Sequence, residues 1–185
     1  MTTNQPNELV VKTNVPLNPL ERNFWRNIGL YLDLTVKFEQ GESDGYLICW
    51  KSKTVRCPKT DASVTESCKI HFAGRDFTVF GSGVKVETGH EFFFISSDIF
   101  TPLIQSVYLH DEQADQRRDR YGLALAAYSR RNGGLLSKDM ILQAIHLLGN
   151  MLDRPLSVPW QGAPYLVALT FDVDGYYPGQ IKKVM

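Results

Sequence analysis

Between Gly89 and Asn132 the hydrophobic spacing of the chain changes period, and this limits the possible folds more than any other feature. Phe92-Phe93-Phe94-Ile95 is an apolar run of strand length, followed by a helix-capping signal at Ser96-Ser97-Asp98. Ile99, Leu103, Ile104, Val107 and Tyr108 then recur at helical spacing. A run apolar on both faces predicts a central strand covered from both sides. The helix after it takes its cap either from Ser97, or from Thr101 with Pro102 at the first helical position, an arrangement that suits proline better. The chain thus switches from a β layer to a helical layer near Ser97.

Upstream the pattern is β. From Ile28 to Glu39 apolar residues (Ile28, Leu30, Leu32, Leu34, Val36, Phe38) alternate with mainly polar ones, which predicts a long strand with one face in the core. Gly41-Glu42-Ser43-Asp44-Gly45 reads as a turn. Tyr46 to Arg56 reads as a second strand, with Tyr46, Ile48 and Trp50 on one face. Three short runs, Cys68 to Phe72, Asp76 to Phe80 and Val84 to Glu87, are parted by Gly74 and by Gly81-Ser82-Gly83, the spacing of antiparallel hairpins. Residues 1–23 hold Pro6, Pro16 and Pro19 and read as a flexible arm. Within that arm Leu9-Val10-Val11 is a short apolar patch with nothing local to pair with. It docks either on its own sheet or on a neighbour's sheet edge, and the expectation taken is the second, self-association by strand addition.

Downstream, Ala114 to Arg131 reads as a helix with Tyr121, Leu125 and Tyr128 on one side. Its ends carry Arg117, Arg118, Arg120, Arg130 and Arg131, and Asn132-Gly133-Gly134 stops it. Ser137 caps a further helix, whose Met140, Ile141, Ala144, Ile145, Leu148, Met151 and Leu152 form one apolar stripe. Tyr165 to Val173 reads as the last strand. The expected fold is α+β: a mainly antiparallel sheet packed on one side against three helices, at 99–109, 115–131 and 138–152. One domain spans 24–178, between the arm and a tail at 179–185.

The 185 residues hold 20 basic and 20 acidic side chains, a balance that argues against a dedicated polyanion binder. A local patch remains. The arginines, together with Lys182 and Lys183, form either a solvated face paired with Asp115 and Asp119 or a basic surface for lipid headgroups or RNA phosphates. The three cysteines, Cys49, Cys57 and Cys68, show no CxxC spacing, and strand periodicity sets Cys68 and His71 on opposite faces; reduced thiols and no zinc are expected. Asp172-Val173-Asp174-Gly175 lacks the later acidic ligands of a calcium loop, and Gly81-Ser82-Gly83 lacks the lysine of a phosphate loop. No nucleophile elbow, zinc-protease helix or dinucleotide fingerprint is found, so neither an enzyme nor a cofactor is expected. The alternatives are an accessory nucleic-acid-binding protein and a small enzyme whose site residues converge from distant segments. The N-terminus has no signal-peptide pattern and no apolar run nears the roughly 18 residues of a membrane span, which predicts an intracellular protein.

Two stretches resemble the small matrix proteins of negative-strand RNA viruses, of the rhabdovirus and bornavirus kind. They are Phe92-Phe-Phe-Ile-Ser-Ser-Asp-Ile-Phe with Leu103-Ile-Gln-Ser-Val, and Ala126-Ala-Tyr-Ser-Arg-Arg-Asn-Gly-Gly-Leu-Leu. The resemblance covers residues 24–136 and rests on pattern. It implies a non-enzymatic structural protein that self-associates beneath a viral membrane and holds the nucleocapsid and its RNA against that anionic surface, in the virion and host cytoplasm. It departs from the family in having neither Pro-Pro-x-Tyr nor Pro-Thr-Ala-Pro, and in lacking an N-terminal lysine cluster.

Overall fold

A computed structural model describes residues 7–42, 44–60, 66–107 and 140–156. The described chain opens with a β–α–β unit: β1 (Glu8–Thr13), α1 (Pro19–Leu32) and β2 (Thr35–Gln40). The two strands lie side by side in parallel, Glu8 opposite Thr35 and Thr13 opposite Gln40.

This overturns the expected strand from Ile28 to Glu39, whose first half is helix. The competing signal lies just upstream. Asn18 Oδ1 accepts the Glu21 backbone N–H at 2.9 Å while Glu21 Oε2 accepts that of Asn18 at 2.8 Å, a capping box, and Pro19 occupies the first turn. Phe24, Trp25, Ile28 and Leu32 then bury one helical face. Ile28 and Leu32 fit both periods, but Leu30, which only a strand would bury, is 67% exposed. Asp33, in the left-handed conformation, ends the helix. A Cβ on Gly29 would meet Val36 Cγ2 at 2.5 Å and the Leu34 carbonyl oxygen at 2.6 Å, so only glycine lets helix and strand approach this closely.

The arm expected at 1–23 is likewise corrected from Glu8 onward. The six-stranded sheet runs β2-β1-β3-β4-β8-β7, where β3 is Tyr46–Trp50, β4 Lys53–Cys57, β7 Val86–Thr88 and β8 Phe92–Ile95. β1 therefore has a neighbour on each side, and Leu9 and Val11 are fully buried. Their burial contributes about 3–6 kcal/mol, a large share of a typical domain's stability.

The fold is α+β, a single compact domain, with a sheet only partly antiparallel. β1–β2 and β4–β8 are parallel; β1–β3, β3–β4 and β7–β8 are antiparallel. The expected strand from Tyr46 to Arg56 folds back on itself at Lys51, where φ is 52°, giving β3 and β4. Tyr46, Ile48 and Trp50 do share a buried face. β5 (Ser67–Phe72) and β6 (Arg75–Phe80) form a separate hairpin, closed by Ala73 and Gly74 at positive φ. Among the described strands β8 lies one from the edge, and its two faces differ: Phe93 and Ile95 are buried, Phe94 is half-buried and Phe92 is 43% exposed, where the run's pattern predicts cover on both.

α1, α2 (Phe100–Val107) and α3 (Met140–Met151), with the β5–β6 hairpin, pack on the face that carries Leu9, Val11, Ile48, Val55 and Phe93. At its centre Trp25 meets Phe100 at 4.9 Å and Tyr46 at 5.4 Å between ring centroids, joining α1, α2 and β3. The α3 stripe is buried as its spacing predicts, and His146 faces outward. Arg154 ties the end of α3 to that of α1, donating from Nε to the Leu32 carbonyl at 2.8 Å. Among the described residues no helix is long and apolar enough to cross a membrane. The expected helix at 115–131, the strand at 165–173 and the tail lie outside the described residues.

Deleting residues 1–13 should therefore abolish cooperative unfolding in a thermal melt, since it removes a strand from within the sheet. A truncated chain that melts within a few degrees of the full-length protein would contradict this placement.

Candidate functional site

Among the described residues, the buried polar groups Asp98, Thr101 and Tyr46 are gathered where β3 and β4 meet the start of α2, while Thr13 is buried apart from them at the end of β1. Asp98, 1% exposed, accepts the backbone N–H groups of Phe100 at 3.0 Å and Thr101 at 2.9 Å through Oδ1, and that of Thr60 at 2.6 Å through Oδ2. It is Asp98, rather than Ser97 or Thr101, that caps α2: its carboxylate reaches two orphan donors of the first turn and one of the neighbouring loop. Burial pushes its carboxyl above the usual carboxylate range, against the pull of these hydrogen bonds. Tyr46 Oη lies 3.1 Å from Thr101 Oγ1, and Cys57 Sγ donates to the Ser97 carbonyl at 3.2 Å. Burial raises both the phenol and the thiol, which keeps them protonated and unreactive at neutral pH. Beside this cluster Lys59 pairs with the capping Glu21 at 2.6 Å. These groups join secondary-structure elements, each engaged with a structural partner.

Two clefts are lined by described residues. One of about 210 Å³ lies at the carboxyl ends of β1 and β2, lined in part by Thr13, Leu17, Arg22, Phe38 and Gln40. A second, of about 420 Å³, is lined by Asn14, Val15, Asp44, Gly45 and Lys59. Neither holds a histidine or a cysteine. His90 stands exposed between β7 and β8, and the His71–Asp76 pair, 2.8 Å apart, sits in solvent near the tip of its hairpin. Among the described residues no cluster of three or more metal-ligating side chains forms.

The surfaces are more informative. Along the ladder, Val10 lies beside Cys49, Cys49 beside Thr54, and Thr54 beside Phe92; Lys12, Leu47, Arg56 and Phe94 follow in the next row. These side chains share the sheet face opposite the helices. Val10, Leu47, Cys49 and Phe94 are half-buried there, and Phe92 is exposed. Charges rim them: Glu39 accepts Lys12 at 2.9 Å and Lys37 at 3.0 Å, and the lysines hold its carboxyl below the usual range, Lys12 first.

Among the described strands β2 is also the end of the sheet. Thr35 and Gly41 donate their N–H groups to the Asn7 and Thr13 carbonyls, so odd-numbered residues face β1. The N–H and C=O groups of Val36, Phe38 and Gln40 therefore point away from the sheet, and no described strand takes them. Over Phe38 lie the guanidinium groups of Arg22 and Arg26, at 5.7 and 5.9 Å from the ring centroid.

Of the residues the sequence singles out, Leu9 and Val11 belong to the core and Val10 to the open face. β1's own neighbours take both of its edges, which corrects the expectation that this segment docks on another copy. Arg117, Arg118, Arg120, Arg130, Arg131, Lys182 and Lys183 lie outside the described residues. Lys37, Phe38 and Glu39 are the residues the pattern reading missed, absorbed into a strand that began too early. The Asn18-Pro19-Leu20-Glu21 box would have separated helix from edge strand. The chain matches no protein-family model, no curated protein and no solved structure.

If Asp98 is the pin between α2 and the Thr60 loop, Asp98→Ala should cost about 3 kcal/mol in urea unfolding, from the lost cap and an unpaired loop amide. A cost under about 1 kcal/mol would show that the cluster carries little of the fold.

Proposed function

We propose that the chain is a non-enzymatic structural protein that self-associates, a matrix-like component linking a nucleocapsid to the inner face of a viral membrane. The observation that carries this reading is the sheet itself. One face and one edge present Val10, Leu47, Phe92, Phe94 and the outer side of β2, while the described helices all pack on the other face. Exposed apolar surface rimmed by charge is the mark of a protein that works by contact with other molecules. The buried Asp98, Tyr46 and Cys57, by contrast, are closed off and structurally engaged, and give no support to a catalytic reading. The link to membrane and RNA rests on the matrix resemblance and on the basic residues at Arg117, Arg118, Arg120, Arg130 and Arg131.

Light scattering of the full-length protein over a concentration series tests the reading. Reversible oligomers that persist in moderate salt are expected. A monomer at every concentration would overturn it. Charge reversal at Arg117 and Arg118 should remove binding to anionic liposomes and leave the melting temperature unchanged. Retained liposome binding would take the membrane role away from these arginines. A complex with RNA alone, weakening steeply with salt, would favour a nucleic-acid-binding protein instead.

A further inference from the structure

The edge strand β2 carries a charge pattern that selects one partner and one register. An antiparallel neighbour bonds to β2 only if outward-facing residues lie opposite outward-facing residues, because those pairs exchange both N–H and C=O bonds. On β2 these are Val36, Phe38 and Gln40. When the neighbour is a second copy of β2, three alignments set two or more of these residues opposite one another. Val36 opposite Phe38 sets Lys37 against Lys37, and Phe38 opposite Gln40 sets Glu39 against Glu39, each a like-charge contact at the closest cross-strand spacing. Phe38 opposite Phe38 is different: Lys37 of each copy then faces Glu39 of the other, twice over. Val36 faces Gln40, so all three outward-facing residues of each strand find partners.

We propose that two copies of the chain join edge to edge through β2, antiparallel about a two-fold axis at Phe38, making one continuous sheet of the two described six-stranded ones. This rests on the self-association reading above and names its surface. The side chains are placed for it. Lys37 and Glu39 project on the same open face, with side chains 52% and 31% exposed, so each can exchange its partner within the strand for one across the dyad. The interface is isologous and closes on itself, giving a dimer, with the open sheet face left for higher contacts. The guanidiniums of Arg22 and Arg26 stand over Phe38, so four of them approach at the axis and repel. About 0.15 M salt screens that repulsion and is the condition for the test.

The test is a charge exchange in the full-length protein, read by sedimentation velocity. Lys37→Glu leaves acids at both positions and Glu39→Lys leaves bases at both, so each variant alone meets like charges twice. Each should dimerise about thirtyfold more weakly than the unmodified chain, whereas their equimolar mixture should recover the dimer as a heterodimer. A second variant guards against misfolding. In Phe38→Cys the two thiols face each other across about 5.5 Å between Cα atoms, within disulfide range, so oxidised glutathione should link the dimer covalently. Variants that dimerise as well as the unmodified chain, a mixture that stays monomeric, or Phe38→Cys that links no more than the unmodified chain, would each overturn the β2 interface. In these cases oligomers of the unmodified chain would leave the self-association reading standing. An unmodified chain that is monomeric throughout would overturn both.

Discussion

The rest of the structure depends on six residues near the N-terminus being gripped from both sides. β1 takes a parallel ladder from β2 and an antiparallel one from β3. Without it the β–α–β unit has no first strand, and β2 has nothing to attach to. α1 then has no floor, because its buried face rests on the side of the sheet that Leu9 and Val11 supply. This segment is the keystone because the pleat of a strand turns Leu9 and Val11 to one face, where both are buried, and Val10 to the other.

Two local devices let the helices meet that sheet. The first is the approach at Gly29, where the backbones of α1 and the segment entering β2 are so close that no side chain fits between them. The second is the paired capping of α1 and α2. Asn18 and Glu21 close one helix start and Asp98 the other, while Lys59 and Thr60, adjacent in the chain, bind Glu21 and Asp98 in turn. One loop thus holds both helix starts at the same end of the sheet. Trp25 fills the space between them, its indole N–H finding no hydrogen-bond partner among the described residues.

Much of this was legible in the chain, and the failures have physical reasons. The switch near Ser97, the β3 face, the β5–β6 hairpin and the α3 stripe all follow from unbroken periodicity. Ile28 to Glu39 misleads because Ile28 and Leu32 satisfy both helical and strand spacing, and the arbiter, the Asn18 capping box, sits ten residues before the alternation. Leu9 to Val11 misleads in another way. Three apolar residues among prolines give a weak signal, and their fate depends on strands that follow 20 and more positions later. The mixed sheet is hidden for the same reason, since parallel pairing of β4 with β8 is a long-range fact. The candidate surface was the least legible, because an edge is defined by topology and not by composition.

The central claim is that the outer side of β2 is free in one copy and taken in the associated state. Amide hydrogen exchange resolved residue by residue tests it directly. At low protein concentration the N–H groups of Val36 and Phe38, which point outward, should exchange fast, while those of Lys37 and Glu39, turned toward β1, stay protected. As concentration rises, Val36 and Phe38 should become protected without change at Lys37 and Glu39. Protection of Val36 and Phe38 that is already complete at the lowest concentration would contradict the account, because the edge would then be covered within a single chain.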